Sequence, residues 1–207
     1  MVTTLLTGAT GMLGSALQPR LDEAGHTVRG TTRSPPGDGP ADEWVEMALP
    51  EGPDLEAAVD GVDVVVHAAS DARGDHEAVD VRGTEQLLEA AEAAGVENFL
   101  YVSIVGIDDV PYSYYESKVA AEALVEASSV PSTIVRITQF HPFIDMIAGW
   151  VARLPIWPLP TTWKLQPIDV GEAADAVVEH ATTEAAGRVP DVGGPKIRTL
   201  GELAVAY

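Results

Sequence analysis

The sequence predicts an α/β fold with a doubly wound parallel sheet, and three observations lead to that prediction. Apolar segments of strand length alternate with helical patterns along the 207 residues. Strands separated by helices are joined by right-handed crossovers, which leave neighbouring strands parallel. The segment Val62–Ala69 is almost continuously apolar, as is typical of a strand covered on both faces. A glycine turn, residues 8–14, joins the first strand to the first helix.

The predicted elements follow in order along the chain. Strands are expected at Thr3–Leu6, Thr27–Thr31, Trp44–Met47, Val62–Ala68, Asn98–Ser103 and Thr133–Ile137. Helices are expected near residues 12–24, 54–59, 77–94, 115–128, 171–182 and 200–207. The first helix ends at a glycine stop, Gly25, and the second strand then completes the first half of a βαβ unit. We expect one domain over residues 1–207.

Composition and charge exclude several classes of protein. The formal net charge is −20, from 32 acidic and 12 basic residues, and such a surface repels nucleic acid and anionic lipid. No apolar run approaches the roughly 20 residues of a membrane-spanning helix. The chain has no cysteine and opens directly on a strand, so neither a disulfide framework nor a signal peptide is expected. These observations predict a cytoplasmic protein that binds neither nucleic acid nor membranes.

The glycine turn has the spacing of an anion-binding turn. Gly8 permits a tight turn, Gly11 leaves room for a pyrophosphate, and Gly14 lets the new helix approach the strand closely. The free N–H groups and the positive end of the helix dipole face the anion. The turn therefore predicts a bound dinucleotide. A strand–turn–helix connection without a ligand is the alternative interpretation of the same three glycines.

A serine, a tyrosine and a lysine could supply acid–base chemistry at the ligand edge of the sheet. Ser103 closes the fifth predicted strand, and Tyr114 and Lys118 stand four residues apart on the next helix, which places phenol and ammonium on one face. An ammonium close to a phenol lowers the phenol pKa. Tyr114 would then exchange a proton with a substrate oxygen that Ser103 also binds. Alternatively, the pair belongs to a solvated helix face.

Taken in order, these features resemble the short-chain dehydrogenase/reductase superfamily. The likeness is closest to its atypical NAD(P)-binding branch, which includes NmrA-like and epimerase/dehydratase-like proteins. Residues 7–14, TGATGMLG, are similar to the TGATGxxG turn of that branch, and residues 60–69, DGVDVVVHAA, are similar to its fourth strand. Similarity at later motifs extends the resemblance over nearly the whole chain. It implies a Rossmann-like fold with a small C-terminal substrate lobe, too small for a large nucleotide-sugar substrate.

The resemblance also implies where a dinucleotide would bind. Ala68, Ala69 and Ser70 would line the nicotinamide ribose, which Lys118 would also hold. Relatives often have an aspartate that touches adenine where this chain has Met47-Ala48-Leu49, so adenine is expected to rest on backbone and apolar contacts. The expected cofactor-binding residues are Gly8, Thr10, Gly11, Met12, Leu13, Arg33, Leu49, Ala68, Ala69, Ser70 and Lys118.

The end of the second strand favours NADP over NAD. An acidic residue there would bind the ribose 2′-hydroxyl, whereas an arginine accepts a 2′-phosphate through charge-assisted hydrogen bonds. This chain has Arg33 at that position, so NADP is predicted and NAD is the alternative. A loop cation that does not touch the cofactor is the other interpretation of Arg33.

Two further regions bear on catalysis and substrate. Asp80 stands where many relatives have an asparagine, three residues before the Gly-Thr pair, and this departure puts the usual proton-relay contact in question. Residues 138–167 are rich in aromatic residues and proline. An apolar insert after the sixth strand is placed to cover a small apolar substrate, although a subunit interface or plain packing would give the same composition.

The sequence therefore predicts an NAD(P)H-dependent oxidoreductase that transfers hydride to or from a small carbonyl or quinone-like substrate. Tyr114 is the predicted acid/base, Lys118 lowers its pKa, and Ser103 binds the reacting oxygen. A non-catalytic dinucleotide sensor, and an isomerase or dehydratase that retains its cofactor, are the alternatives. Helices near 77–94 and 115–128 resemble those that pair in homodimers of the superfamily, but they equally suit packing against the sheet. No metal-ligand spacing appears in the sequence.

Overall fold

A computed structural model describes residues 1–33, 41–50, 55–151 and 160–206. The strands are β1 (Val2–Thr7), β2 (His26–Thr32), β3 (Glu43–Glu46), β4 (Val64–His67), β5 (Asn98–Ile104), β6 (Ser132–Ile137), β7 (Lys164–Leu165), β8 (Gly187–Arg188) and β9 (Arg198–Thr199). The helices are α1 (Met12–Glu23), α2 (Leu55–Val59), α3 (Gly83–Ala94), α4 (Ser113–Ala127), α5 (His141–Val151), α6 (Val170–His180) and α7 (Leu200–Ala206).

The main sheet confirms the predicted doubly wound parallel topology. In the described part of the chain it has seven strands in the order β3-β2-β1-β4-β5-β6-β8, and every pairing in it is parallel. The chain winds outward from β1 to β3 and then crosses to β4 on the other side of β1. Because the order reverses between β1 and β4, the crevice beyond their carboxyl ends is the place where such sheets bind ligands.

Two hydrophobic layers cover the sheet, one on each face. On one face α1 and α6 bury side chains such as Leu17 and Val177 against Leu6 and Val66. On the other face α2, α3 and α4 pack against Leu5, Phe99 and Tyr101 through a second set of apolar side chains. Neighbouring residues Leu5 and Leu6 thus point to opposite faces, as the two-residue period of a strand requires, and both are fully buried. This two-sided burial explains the continuous apolar runs in the sequence.

Some local structure differs from the sequence prediction. The single helix expected near residues 77–94 is divided, because Glu77–Arg82 form a π-helical segment that leads into α3. A π segment accommodates one extra residue per hydrogen-bonded turn and is often found at functional sites. Helix α5 and the short strands β7, β8 and β9 were not predicted, since two-residue strands and a helix inside an aromatic, proline-rich stretch carry no clear periodicity.

The described C-terminal residues add a second, smaller sheet. It consists of the antiparallel pair β7–β9 and is followed by α7. Residues 152–159 of the predicted insert, with Pro155, Trp157 and Pro158, lie outside the described residues. Within the described ranges, no helix is both long enough and apolar enough to cross a membrane.

Candidate active site

The glycine turn forms a close-packed cradle at the carboxyl end of β1. Gly8 has a φ of +68°, and a Cβ atom there would lie 2.8 Å from the backbone of Ala69. The N–H of Gly11 donates to the carbonyl of Gly8 at 2.8 Å, which closes the turn. A Cβ atom on Gly14 would overlap the Gly8 carbonyl oxygen. The predicted roles of Gly8 and Gly14 in a tight turn and a close approach therefore match the geometry.

Helix α1 presents its positive end to the cavity beyond this turn. Its N-cap is Gly11, which offers no side chain to the first turn, and the first N–H groups of any α-helix lack partners within the helix. These groups favour an anion such as a diphosphate. Met12 is half exposed and Leu13 is buried in the core, so any diphosphate contact of these two residues would come from their backbone.

A cavity of about 350 Å³ opens at the switch point between β1 and β4. It is lined by Gly8, Thr10, Gly11, Thr31, Thr32, Arg33, Met47, Ala48, Leu49, Ala68, Ala69, Ser70, Asp71 and Val79. The structure thus brings together eight of the predicted cofactor-binding residues; Met12, Leu13 and Lys118 are not among the lining residues. The sequence did not single out Thr31, Thr32, Asp71 or Val79, which line the cavity because they neighbour the residues that it did single out.

Arg33 stands at the rim of this cavity, directly after β2. Its side chain is exposed, and it forms no ion pair with any residue in the described ranges. Two lining segments, Thr31–Arg33 and Met47–Leu49, lie at the ends of β2 and β3, where the N–H of Met47 donates to the carbonyl of Thr32 at 2.9 Å. The predicted adenine-side residues therefore form one wall of the cavity.

The second functional feature is the tyrosine cluster, which we define as Ser70, Asp80, Tyr114 and Lys118. The Tyr114 hydroxyl lies 2.8 Å from Ser70 Oγ, and Ser70 Oγ donates to Asp80 Oδ1 at 2.6 Å. Asp80 Oδ1 is 3.4 Å from Lys118 Nζ. The four side chains come from the loop after β4, the π-helical segment and α4, so the sequence separates residues that the fold joins.

Lys118 is buried and held from several sides. Its Nζ donates to the carbonyl of Val102 at 3.1 Å and lies 4.5 Å from the centre of the Tyr101 ring. Desolvation opposes the ammonium charge, but Tyr101, Asp80 and Tyr114 together outweigh it, so the pKa of Lys118 lies above its ordinary value. Burial raises the pKa of the Tyr114 phenol, and the nearby Lys118 charge only partly offsets this effect.

Ser103 does not join the tyrosine cluster. It is 2% exposed and sits on the side of β5 that faces α4, where its hydroxyl helps to lower the pKa of the Glu122 carboxyl. Even so, Ser103 Oγ makes no hydrogen bond of regular geometry within the described residues. The hydroxyl next to Tyr114 belongs to Ser70 instead. The predicted contact of Ser103 with a reacting oxygen thus stays a prediction, without support from the position of Tyr114.

His67 links the glycine turn to the tyrosine cluster. Its Nδ1 lies 2.6 Å from Thr7 Oγ1 and its Nε2 lies 3.0 Å from Thr84 Oγ1. Thr84 Oγ1 donates to the Asp80 carbonyl at 2.6 Å, so we assign the imidazole proton to Nε2, which donates to Thr84. Complete burial, together with the Lys118 charge, lowers the pKa of His67 to about 3. The ring is therefore neutral at physiological pH.

The remaining predicted region, residues 138–167, is described only in part. Thr138 and Phe140 follow β6, and Phe140 pairs with Ile168. Helix α5 comes next, and Arg73 Nη2, in the loop after β4, lies 2.5 Å from Met146 Sδ on that helix. This contact brings α5 beside the loop that carries Ser70. No cluster of His, Asp or Glu suited to a metal ion occurs among the residues that the structure describes.

Comparisons with known proteins agree with this geometry. A family model described as NAD(P)H-binding matches residues 8–142. A 3 beta-hydroxysteroid dehydrogenase/Delta 5-->4-isomerase from Mycobacterium tuberculosis is 34% identical over 157 residues, covering 60% of this chain and 42% of that protein. Cinnamoyl-CoA reductase 1 from Petunia hybrida is 34% identical over 115 residues, covering 49% of this chain and 34% of that protein. The match thus spans less than half of either relative.

Solved structures show the same fold. A short-chain dehydrogenase/reductase superfamily protein from Agrobacterium tumefaciens, with bound NAD, superposes with a TM-score of 0.78 at 22% identity, over 99% of this chain and 81% of that one. UDP-glucose 4-epimerase from Thermotoga maritima, with UDP-glucose, gives a TM-score of 0.81 at 16% identity, over 99% and 81%. With the family match, these findings confirm the resemblance seen in the sequence. The chain belongs to the NAD(P)H-binding family.

Proposed function

We propose that this protein is an NAD(P)-dependent oxidoreductase that transfers hydride to or from a small carbonyl or quinone-like substrate. One observation carries the proposal: the Tyr114 hydroxyl lies 2.8 Å from Ser70 Oγ, and Ser70 lines the cavity that begins at the glycine turn. An acid/base group therefore stands beside the place where a dinucleotide fits. Proton transfer by such a group contributes about 10²–10⁴-fold to a rate.

The residues present fit a nicotinamide dinucleotide. Gly8, Gly11 and Gly14 leave the space that side chains would fill, and the start of α1 supplies N–H groups for a diphosphate. Ala68, Ala69 and Ser70 would hold the nicotinamide side, and Leu49 would contact adenine. When bound, the dinucleotide supplies or accepts the hydride.

Arg33 supports NADP as the preferred cofactor. Its exposed guanidinium stands at the end of β2 beside the cavity, and the position carries no carboxylate that would bind a 2′-hydroxyl and repel a phosphate. The fork of N–H donors suits a 2′-phosphate. NAD remains the alternative cofactor.

The substrate that we propose is small and apolar. Helix α5 reaches the loop after β4 through the contact of Arg73 with Met146, and Phe143 on the same helix is 42% exposed. The names of the relatives, a hydroxysteroid dehydrogenase and a cinnamoyl-CoA reductase, are consistent with carbonyl or hydroxyl groups on apolar frameworks. A homodimer through α3 and α4 stays a prediction.

The test is Tyr114→Phe, assayed with NADPH and NADH against a panel of aldehydes, ketones and quinones. We expect kcat to fall by about 10²–10⁴-fold while dinucleotide binding, followed by calorimetry, stays unchanged. Tyr112→Phe is the matched control, because Tyr112 belongs to the same aromatic group but is 47% exposed. An unchanged rate in Tyr114→Phe would contradict the acid/base assignment. Tight dinucleotide binding without turnover of any substrate would favour the sensor alternative.

A further inference from the structure

Asp80 lies at the centre of the tyrosine cluster, in contact with both Ser70 and Lys118. Its carboxylate is fully buried in the π-helical segment. Besides the Ser70 hydroxyl, it accepts a hydrogen bond from the N–H of Asp71 at 3.1 Å and pairs with Lys118. The Asp80 carboxylate thus accepts two hydrogen bonds and forms an ion pair. An asparagine at this position would bring no charge.

The hydrogen-bond directions within the tyrosine cluster follow from that charge. A carboxylate only accepts hydrogen bonds, so the single proton of the Ser70 hydroxyl points to Asp80 at 2.6 Å. Ser70 Oγ therefore meets Tyr114 with a lone pair, and the 2.8 Å contact requires Tyr114 to be the donor. A phenolate at Tyr114 would face that lone pair with no proton between the two oxygens.

Asp80 also compensates the charge that would otherwise favour a phenolate. Lys118 Nζ lies 3.4 Å from Asp80 Oδ1, and the two side chains are 4% and 0% exposed. In such a poorly solvated place, a close anion cancels much of the field that the ammonium exerts on Tyr114. The charge of Asp80 and the direction of the hydrogen bond between Ser70 and Tyr114 thus both favour the hydroxyl form of Tyr114 over the phenolate.

We propose that Asp80 is a positioning residue which, through Ser70 and Lys118, holds Tyr114 in its hydroxyl form as a proton donor to a substrate carbonyl. The inference rests on the proposed function. In the reduction, the carbonyl carbon gains hydride as the dinucleotide is oxidised. The carbonyl oxygen gains the proton as the Tyr114 O–H bond breaks, and the phenolate then takes a proton from solvent water.

Other titratable groups face Tyr114, and they are the same in every variant compared. The His76 ring is 6.2 Å away, Tyr112 is 6.0 Å away and Tyr115 is 5.9 Å away, all between ring centroids. Tyr101 of β5 contacts Lys118 from the sheet side. Neutral His67 lies beyond Thr84 on the far side of Asp80.

The test uses the whole chain without cofactor, carrying ¹³C at the tyrosine Cζ, whose chemical shift reports ionisation of the phenol. The chain has five tyrosines, and the Tyr114 signal is identified by its loss in Tyr114→Phe. We expect Asp80→Asn to lower the pKa of Tyr114 by about 1 pH unit or more, the size typical of one nearby charge. The side-chain amide of the variant can also donate to Ser70 and free the Ser70 proton for a phenolate.

Ser70→Ala supplies an independent second measurement. If Ser70 accepts from Tyr114, its removal takes away a hydrogen bond to the hydroxyl form, and the pKa of Tyr114 falls. If Ser70 instead donates to a phenolate, the same change raises the pKa. Ser117→Ala is the matched control for loosening of the site, since Ser117 is also buried and contacts His76 on another side of Tyr114. We expect the Tyr114 titration to be unchanged in that control.

The outcomes separate this inference from the proposed function. An unchanged or raised Tyr114 pKa in Asp80→Asn overturns the role of Asp80, even if the wild-type chain reduces a carbonyl with NADPH. If Asp80→Asn does not fold, as judged by its ¹⁵N–¹H spectrum, a raised pKa in Ser70→Ala overturns the role and a lowered one supports it. Where no substrate turns over, the proposed function fails while the titration still decides the role of Asp80.

Discussion

The glycine turn and the tyrosine cluster stand at neighbouring strand ends, but they are built from different parts of the chain. The turn is made of backbone: its glycines matter because they lack side chains, and all lie within seven residues. The tyrosine cluster is made of side chains from three elements, and Ser70 is 44 residues from Tyr114. A site that depends on the absence of side chains can be formed by neighbouring residues in the sequence. A site built from side chains of several elements depends on the whole fold.

The two regions also differ in how they tolerate change. The glycine turn cannot keep its conformation when a side chain is added at Gly8 or Gly14, because backbone atoms already fill that space. The cluster fails when a partner is removed, because a buried charge or hydroxyl then lacks its counterpart. His67 connects them, with Thr7 at the last position of β1 on one side and Thr84 next to Asp80 on the other.

The largest effect on dinucleotide binding is expected from Gly14→Ala. The new Cβ would overlap the Gly8 carbonyl oxygen, so the start of α1 must move away from the turn and carry its N–H groups with it. We expect dinucleotide affinity to fall by at least about 100-fold, which corresponds to roughly 2.7 kcal/mol. Calorimetry with NADPH and NADH measures it, and the Tyr114 Cζ signal should stay in place because the tyrosine cluster makes no use of this glycine.

Gly25→Ala is the matched control for Gly14→Ala. Gly25 follows the other end of α1 with a φ of +87°, and nothing lies within 4 Å of the position of an added Cβ. The change costs about 1 kcal/mol of backbone strain and should leave affinity unaltered. Equal losses of affinity in both variants would show that general destabilisation, rather than the close approach at Gly14, weakens binding.

Lys118→Met tests the tyrosine cluster by removing a charged group, whereas Gly14→Ala adds an atom to the glycine turn. Loss of Lys118 leaves the buried Asp80 carboxylate without its cation, and breaking a buried pair typically lowers the free energy of unfolding by about 3–5 kcal/mol. The double variant Lys118→Met/Asp80→Asn removes both charges, so we expect it to regain most of the loss. Urea unfolding of the wild type, both single variants and the double variant measures the coupling. Strictly additive losses would argue against a coupled pair.

The sequence predicted the backbone region well because its signals are local. Alternating strands and helices led to the correct parallel topology, and three spaced glycines marked the turn that Gly8 and Gly14 form. The residues after β1, β2 and β4 could be placed around one cavity since parallel strands end at the same edge of a sheet. The two-residue strand β8 at the outer edge of the sheet was beyond that reasoning.

The side-chain region was predicted less completely. The spacing of Tyr114 and Lys118 showed that both lie on one helix face, but no pattern showed that Ser70 would meet Tyr114. Asp80 was noticed only as a departure from relatives, because a π-helical segment cannot be told from an α-helix by periodicity alone. Ser103 lies one residue before the end of β5, close to the predicted strand end. Side chains alternate along a strand, however, and the face that Ser103 shares with Tyr101 is the one covered by α4.

His67, which lies between the glycine turn and the tyrosine cluster, makes the free energy of unfolding depend on pH. Because burial lowers the pKa of His67 to about 3 from about 6.5 in the unfolded chain, the unfolded state binds the proton first as the pH falls. Above about pH 6.5 His67 therefore does not reduce the free energy of unfolding. As the pH falls from about 6.5 to about 3, protonation of His67 in the unfolded chain reduces this free energy progressively. Between pH 7 and pH 5 the loss from this residue should be about 2 kcal/mol.

His67→Gln should flatten this dependence, measured as the difference in unfolding free energy between pH 7 and pH 5. Thr84→Val is the control: it removes a hydrogen-bond partner of the ring but keeps the imidazole, so it should lower stability at both pH values and retain the slope. A slope in His67→Gln as steep as that of the wild type would mean that other groups govern the acid transition.

The smallest effect is expected for Arg33, which lines the cavity beyond the glycine turn and is predicted to discriminate between NADP and NAD. Arg33 is exposed, so water competes for its guanidinium and weakens any contact with a 2′-phosphate. We expect Arg33→Ala to lower the affinity for NADPH about tenfold, or roughly 1.4 kcal/mol, and to leave NADH affinity unchanged. The effect should shrink at high salt. Arg20→Ala also removes one positive charge, from a residue of α1 that pairs with Asp175, and it should change neither affinity. If Arg33→Ala lowered the affinities for NADPH and NADH equally, Arg33 would act only as a positive charge that attracts any anion to this acidic protein. The predicted preference for NADP would then lack a residue to explain it.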